Sequence, residues 1–213
     1  MPRSSIARLV ALISAAITLG LVIAVTLRPW PSGDVRIAKS FEKDVTGAAL
    51  IGGPFTLTDQ HGTRISDNSF RGRLMLVYFG YSYCPDICPT DLTTMSTTID
   101  LLGLSGDSVQ PIFITIDPER DTVQRLAEYA TLFHPRLVAL TGTPEEIRQV
   151  ASEYRVYFEK SGTEPNYGMN HSDIIYLMDR DGRFLTHFGQ GTTPEEIAKV
   201  IRKHLNQGSA QGS

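Results

Sequence analysis

The chain has 213 residues, of which 41% are hydrophobic and 20% charged, and its formal net charge is -3. This composition is that of an ordinary globular protein, and the length suits one domain with appendages. The small negative charge and the lack of a Lys/Arg-rich run exclude the usual electrostatic basis for nucleic-acid binding. Two cysteines cannot form the disulfide framework of a small secreted domain, so the core is expected to hold together by packing.

The N-terminal segment predicts a transmembrane anchor. Arg3 and Arg8 precede the run Leu9–Leu27, which has no charged residue and is long enough to span a bilayer. Residues 1–8 should stay in the cytoplasm by the positive-inside rule, and the chain after Arg28 should be translocated. A cleaved signal peptide is the alternative, but the apolar run is longer than a signal core and no small-x-small cleavage site follows it. The pattern therefore favours an uncleaved anchor, residues 9–27.

The rest of the chain divides into a linker, a domain and a tail. Residues 28–51 mix Gly, Pro, Asp, Lys and Ser without periodicity, as a linker does. The folded domain is expected to cover residues 52–206. Residues 207–213 are small and polar, which predicts a disordered tail.

Within the domain, the hydrophobic pattern predicts an opening hairpin, alternating strands and helices, and a closing hairpin followed by a helix. The predicted strands are Pro54–Thr58, Leu74–Phe79, Gln110–Ile116, Leu137–Leu140, Ile174–Met178 and Arg183–Phe188, and the predicted helices are Pro89–Leu102, Thr122–Phe133, Pro144–Tyr154 and Pro194–Leu205. The continuous apolar run Leu74–Phe79 is typical of a strand buried on both faces. This order of elements predicts an α/β sheet with a mixed edge.

A five-residue pattern occurs twice, at 143–147 and at 193–197. Each copy reads Thr-Pro-Glu-Glu-Ile. Thr is a good N-cap, Pro suits the first helical position, and Glu three residues after Thr can close a capping box. The pattern therefore predicts two helix starts, at Thr143 and Thr193, rather than an internal repeat.

Cys84 and Cys88 lie between the buried strand Leu74–Phe79 and a predicted helix. They are at the carboxyl end of that strand, where open α/β sheets place their sites. If the helix begins near Ile87 or Cys88, its unpaired N–H groups and positive dipole end favour thiolate over thiol. A spacing of four brings both sulfurs to one side of the turn, which suits a disulfide or a soft metal ion.

Three interpretations of the cysteine pair remain open at this point. A structural disulfide would close a very short loop and so would restrict the unfolded chain little. A thioredoxin-type redox dithiol fits the position, but that family has two residues between its cysteines, and this chain has Pro85, Asp86 and Ile87. Metal binding tolerates the extra residue, since two thiolates prefer soft ions such as Cu(I) and an imidazole would complete a three-coordinate site.

His171 is the predicted imidazole ligand. It closes the segment 168–171 immediately before the strand Ile174–Met178, and in a thioredoxin-like sheet this loop lies opposite the cysteine turn. The other histidines have ordinary explanations in a turn, at helix ends or on a strand: His61, His134, His187 and His204.

Four motifs in this order resemble the Sco (SenC) family of copper proteins. They are Phe55-x-Leu57-x-Asp59-x-x-Gly62, the segment Tyr78 to Pro89 with its two cysteines, Asp117-Pro118-Glu119-Arg120-Asp121, and His171-Ser172 before Tyr176-Leu177-x-Asp179. The resemblance implies a thioredoxin-like α/β fold with an N-terminal β-hairpin extension, preceded by one transmembrane helix. It also implies a copper site formed by Cys84, Cys88 and His171, with Cu(I) as the expected ion and Cu(II) as a further one.

The resemblance further implies a metallochaperone rather than an enzyme. Its role would be to help build the binuclear copper A centre of cytochrome c oxidase subunit II, by delivering copper, by reducing that subunit's cysteines, or both. The implied partners are subunit II, a copper donor protein and a thiol reductant. The implied location is a bacterial inner membrane with the domain in the periplasm, or a mitochondrial inner membrane facing the intermembrane space. A Cys84–Cys88 disulfide could not take copper, so reduction would have to precede loading.

Two enzyme classes remain as alternatives. A membrane-anchored thiol-disulfide reductase would use the same cysteines, but the chain has no Cys-x-x-Cys, and the His171 region replaces the Pro expected before the facing strand. A peroxiredoxin-like peroxidase is suggested by Cys88-Pro89-Thr90-Asp91, yet Pro85 stands where the required hydroxyl would be. The segment 117–121 is interpreted as scaffold or partner surface.

Overall fold

A computed structural model describes residues 51–163 and 166–209 of the chain. The predicted anchor, residues 9–27, lies outside these ranges. In the described ranges, no helix combines the length and the apolar character that crossing a bilayer requires.

The described residues form nine strands and four α-helices. The strands are β1 (Thr56–Asp59), β2 (Arg64–Ser66), β3 (Leu74–Gly80), β4 (Val109–Thr115), β5 (Val138–Thr141), β6 (Phe158–Ser161), β7 (Gly168–His171), β8 (Ile174–Met178) and β9 (Phe184–Gly189). The helices are α1 (Ile87–Leu102), α2 (Val123–Ala130), α3 (Pro144–Glu153) and α4 (Pro194–Ser209). Two short 3-10 helices, Asp67–Phe70 and Gly103–Ser108, precede β3 and β4.

Seven strands make one mixed sheet in the order β2-β1-β5-β4-β3-β8-β9. β3, β4 and β5 are parallel neighbours. β8 joins β3 in antiparallel pairing, and β1 joins β5 in the same way. The predicted α/β sheet with a mixed edge is confirmed, and the opening hairpin forms an extension of the sheet beside β5.

The core lies along β3 and β4, in which every residue is buried. This burial agrees with the continuous apolar run at Leu74–Phe79, because a central parallel strand has no solvent-facing side. α1 packs against α4, and its buried face includes Leu92, Met95 and Ile99. The strand β3 and the helix α1 thus fix the two ends of the segment that contains the cysteines.

Both predicted capping boxes are present. Thr143 Oγ1 accepts a hydrogen bond from the Glu146 N–H, and the Glu146 carboxylate accepts one from the Thr143 N–H. Thr193 and Glu196 make the same reciprocal pair at the start of α4. The repeated sequence pattern is therefore two helix starts.

Two features differ from the sequence prediction. Residues 168–171 are the strand β7, paired with β6 in a separate two-stranded sheet, and not a loop. β6 is exposed along Glu159–Ser161, and β7 contains Gly168 and Asn170, residue types that strands disfavour, so neither strand shows the usual alternation. α4 extends to Ser209 rather than ending near Leu205, because the residues beyond Leu205 provide no apolar position that periodicity could detect.

Candidate functional site

Cys84 lies in a tight turn between β3 and α1, and Cys88 is the second residue of α1. The Cys84 N–H donates to the Tyr81 carbonyl at 3.2 Å, and α1 begins at Ile87. The N-cap residue, Asp86, makes no side-chain capping bond. Instead the Cys88 N–H donates to Cys84 Sγ at 3.4 Å, so a sulfur accepts from the free N–H groups at the start of the helix. The helix thus begins two residues before the predicted start at Pro89, which meets the condition, a start near Ile87 or Cys88, on which the expected thiolate depended.

The two free thiols differ strongly in environment. Cys84 is half-buried, whereas Cys88 is 0% exposed. The hydrogen bond from Cys88, together with N–H groups of Cys88, Asp86 and Ile87, lowers the pKa of Cys84 to about 5. The same bond, together with burial, raises the pKa of Cys88 far above its ordinary value. The reduced pair therefore carries one thiolate, on Cys84, and one thiol, on Cys88.

His171 ends β7 and faces Cys88. Its Nδ1 lies 2.9 Å from the Ser172 carbonyl oxygen, and its Nε2 lies 3.6 Å from Cys88 Sγ. A carbonyl oxygen can only accept, so Nδ1 carries the proton and a neutral ring leaves the Nε2 lone pair directed at the sulfur. Metal-binding histidines are commonly oriented in this way, with the other ring nitrogen donating to a backbone carbonyl. The structure thus brings His171 to the cysteine turn, although from a strand rather than a loop.

Two of the three predicted ligands, Cys84 and His171, line one open depression, whereas Cys88 is fully buried. The volume of the depression is about 410 Å³, and Cys84 and His171 line it together with Tyr81, Ile87 and Met169. Among the described residues, no group of three or more His, Cys, Asp or Glu side chains is spaced to hold a metal ion as it stands. The donor set of two sulfurs and one imidazole nitrogen nevertheless has the chemistry that Cu(I) prefers. The copper ligands remain a prediction.

The other histidines lie elsewhere. His61 is in the turn after β1, where its N–H donates to Asp59. His134 accepts from the Arg136 N–H, His187 is exposed on β9, and His204 belongs to α4. None of these four lines the depression beside Cys84.

A pair of acidic residues, the buried Asp91 and the partly buried Asp173, lies near the cysteines, and sequence reasoning missed it. Tyr78 Oη donates to Asp173 Oδ1 at 3.3 Å, and burial followed by the neighbouring Asp173 carboxyl raises the pKa of Asp91 to about 8. Burial is the main cause that raises the pKa of Tyr78. Near neutral pH Asp91 therefore holds a proton. The available signal was Asp91 itself, a charged residue on the apolar face of α1 beside Leu92.

Gly80 is a second residue that sequence reasoning missed. A Cβ atom at this position would lie 2.9 Å from Cys88 Sγ and 2.9 Å from Tyr78 Cε1. Real Cβ contacts are not that short, so the glycine makes the space in which Cys88 packs against β3. A lone glycine at the end of an apolar strand was the only indication in the sequence.

Asp121 anchors the cysteine turn from the segment after β4. Its carboxylate accepts hydrogen bonds from the Ser82 N–H at 3.0 Å and from the Ser82 hydroxyl at 2.5 Å. It also accepts from the Thr115 hydroxyl at 2.6 Å, and it is 0% exposed. This part of the segment 117–121 is scaffold for the turn.

Comparison with known proteins points to one family. The model of the SCO1/SenC family matches residues 43–206. Protein sco1 of Schizosaccharomyces pombe is 46% identical over 160 residues, which are 73% of this chain and 61% of that protein. The crystal structure of Arabidopsis thaliana ScoI with copper bound is 42% identical, with a TM-score of 0.70, and the match covers 74% of this chain and 99% of that chain.

A more distant solved structure shares the fold. BsSco, described as a member of the Sco family of cytochrome c oxidase assembly proteins with a disulfide switch, is 24% identical with a TM-score of 0.62. The match covers 73% of this chain and 94% of that chain. The chain spans about half to three fifths of the length of the first curated relatives that it matches. Together these likenesses confirm the thioredoxin-like α/β fold expected from the sequence.

Proposed function

The chain belongs to the SCO1/SenC family, and from this premise we propose that it is a membrane-anchored copper chaperone. It binds copper through Cys84, Cys88 and His171 and assists assembly of the copper A centre of cytochrome c oxidase subunit II. The domain faces the periplasm or the mitochondrial intermembrane space, and a copper donor protein and a thiol reductant act upstream. The observation that carries the proposal is the 3.6 Å approach of His171 Nε2 to Cys88 Sγ, with Nδ1 held by the Ser172 carbonyl.

Copper is the cargo, and the three side chains have different tasks in handling it. Cys84 is a thiolate at neutral pH and is the more accessible sulfur, so it meets an incoming Cu(I) ion first. Cys88 is buried and protonated, and it has to release its proton to become the second ligand. His171 supplies the ring nitrogen Nε2, which faces the Cys88 sulfur. A partner with its own thiolates can then take the ion at the exposed Cys84 side by ligand exchange.

Oxidation of the pair controls loading. When the Cys84 thiolate and the Cys88 thiol form a disulfide, they give up two electrons and the single proton of Cys88, and neither sulfur remains a thiolate ligand. A thiol reductant must return two electrons and one proton before copper binds. The compartment after the predicted anchor is one in which disulfides persist, so this reduction is a required step.

A second function, thiol-disulfide reduction of subunit II, is favoured by the asymmetry of the two thiols. Cys84 has the lowered pKa and partial exposure of an attacking thiolate, and Cys88 has the burial of a resolving thiol. Cys84 would attack a disulfide of the partner, forming a mixed disulfide and releasing one partner thiolate. Cys88 would then displace the second partner sulfur, leaving an oxidised Cys84–Cys88 pair and a reduced partner.

The test uses the purified, fully reduced full-length chain and its Cys84→Ser/Cys88→Ser and His171→Ala variants. The wild type should bind a single Cu(I) ion per chain, the double serine variant none, and His171→Ala should bind more weakly. Equal Cu(I) binding by the wild type and the double serine variant would overturn the proposal.

The two functions are then separated on the copper-binding domain of subunit II. Copper-loaded wild type should produce the absorption of copper A in a reduced, metal-free domain, and His171→Ala should fail to do so. Copper-free His171→Ala should still reduce a disulfide in the oxidised domain if the reductase function holds. No reduction by either protein would leave copper delivery as the single function.

A further inference from the structure

The side chain of Arg120 lies between the turn that contains Cys84 and the strand β7, which ends in His171. Arg120 belongs to the segment 117–121, which connects β4 to α2, and its side chain is only 18% exposed. Its Nε donates to Asp117 Oδ2, a carboxylate that is 1% exposed. Its Nη2 is buried and has no hydrogen-bond acceptor among the described residues. The guanidinium is therefore fixed by its ion pair with Asp117 and by burial, and aromatic rings make its remaining contacts.

On the histidine side, Arg120 holds the residue that leads into β7. Its Nη1 donates to the Tyr167 carbonyl at 2.9 Å, and its Cζ lies 3.5 Å from the centroid of the Tyr167 ring. Tyr167 Oη donates to Asp117 Oδ1 at 2.8 Å, so the ion pair and the ring form one closed unit. Tyr167 directly precedes β7, whose last residue is His171.

On the cysteine side, Arg120 contacts the residues that lead into Cys84. Its Cζ lies 4.8 Å from the centroid of the Tyr83 ring and 5.8 Å from that of the Tyr81 ring. These distances are within the range of cation–π attraction. The Tyr81 ring in turn meets the His171 ring edge-on, with centroids 6.1 Å apart. One guanidinium thus contacts both ligand-bearing segments.

We propose that Arg120 is a positioning residue that sets the separation between the cysteine turn and the histidine strand of the copper site. The inference rests on the proposed function, because it concerns how well His171 reaches the copper held by the two sulfurs. β6 and β7 are paired only with each other among the described strands, so the seven-stranded sheet does not fix β7 through a backbone ladder. Arg120 supplies part of that missing restraint.

Arginine is suited to this role and lysine is not. A planar guanidinium can donate to Asp117 and to the Tyr167 carbonyl while its faces lie against aromatic rings. A lysine ammonium retains the charge, but it has no planar pair of N–H donors and no flat surface that can stack on an aromatic ring. Arg120→Lys should therefore behave like Arg120→Ala in copper binding while perturbing the protein less.

Arg125 provides a matched control. Its Cζ lies 5.0 Å from the Tyr83 ring centroid, and its Nε donates to the Ser82 hydroxyl at 2.9 Å. These contacts are all on the cysteine side of the site. The Arg125→Ala variant loses a partly buried arginine near Cys84 but keeps the contacts by which Arg120 joins the cysteine turn to β7.

The experiment is a double-mutant cycle on the full-length chain. Cu(I) affinity is measured by competition with the chelator bicinchoninate for the wild type, Arg120→Ala, His171→Ala and the double variant, and circular dichroism checks the fold of each. Residues that orient metal ligands typically contribute about tenfold to a hundredfold in affinity. Arg120→Ala should therefore weaken binding about tenfold in the wild-type background, and by less than about twofold when His171 is already absent. If Arg120→Ala does not fold, the same cycle is run with Arg120→Lys.

Each result is decisive. An equal loss in both backgrounds, or no loss in either, would show that Arg120 does not act through His171 and would overturn the inference. Arg125→Ala is measured in the same two backgrounds. If its loss of Cu(I) affinity also disappeared when His171 is absent, the inference would be overturned as well, because an arginine that does not form the bridge would then depend on His171 in the same way. If His171→Ala alone left Cu(I) affinity unchanged, the proposed ligand set would fail, and this outcome is distinct from a failure of the Arg120 inference.

Discussion

The ionisation of Cys84 in the reduced, metal-free protein leads to a test that involves no copper. The perturbation is pH, and the observable is the rate at which iodoacetamide alkylates Cys84. Cys88 should contribute little, because it is 0% exposed and its pKa is raised. Peptide mass spectrometry of timed samples assigns the modification to one cysteine or the other.

The pKa of Cys84, lowered to about 5, sets the expected profile. At pH 7 about 99% of Cys84 is thiolate, against about 3% of an ordinary thiol with a pKa of about 8.5. A lower pKa also makes a thiolate a weaker nucleophile, by about fortyfold for pKa values of about 5 and about 8.5. The larger thiolate fraction and the weaker nucleophilicity therefore nearly cancel, and the two thiols should react at similar rates at pH 7. At pH 6 Cys84 should react about sevenfold faster than an ordinary thiol, and at pH 9 about thirtyfold slower.

The shape of the profile therefore decides the question better than any single rate. The rate should rise through pH 5 and stay level from about pH 6.5 to pH 9. In Cys88→Ala, which loses the main donor to Cys84, the midpoint should move upward while the backbone N–H groups keep it below the ordinary value. A wild-type rate that still increases through pH 8 would refute the assignment of the thiolate to Cys84.

Three further predictions concern the scaffold of the site. Gly80→Ala should destabilise the fold by about 1–3 kcal/mol in denaturant unfolding, because the new methyl group overlaps Cys88 Sγ. Gly189→Ala is the control and should change stability much less, because a Cβ atom there meets open space. Equal effects of the two substitutions would contradict the packing argument. Asp121→Ala leaves three buried donors without their acceptor and should cost at least about 2 kcal/mol, and a near-neutral result would show that the turn does not depend on it. Thr143→Ala removes the capping bond of α3 and should lower the free energy of unfolding by about 1 kcal/mol, and an unchanged midpoint would count against the capping box.

Local signals in the sequence were enough to predict most of the sheet. The run Leu74–Phe79 has apolar residues at every position, and only a strand covered on both faces needs such a pattern. The starts of α3 and α4 were equally visible, because a capping box depends on residues three positions apart. Cys84 and Cys88 were found by the same local reasoning, since the end of the strand and the start of the helix are both encoded beside them.

The arrangement of the site depended on contacts between distant segments. The approach of His171 to Cys88 joins residues 83 positions apart, and it comes from the pairing of two short strands that have almost no hydrophobic alternation. The raised pKa of Asp91 required its burial beside the carboxyl of Asp173, which comes from a distant segment. The bridge made by Arg120 required three tyrosines from two separate segments.

The sequence by itself determined which residues carry the chemistry of this protein, because strand burial, helix capping and cysteine spacing are properties of short segments. It also carried the family resemblance that predicts a copper site at Cys84, Cys88 and His171. Only the tertiary structure decided which cysteine is the thiolate, which nitrogen of His171 faces the sulfur, and which side chains hold the two parts of the site together. Those features arise from burial and hydrogen bonds between distant residues, and no local pattern contains them.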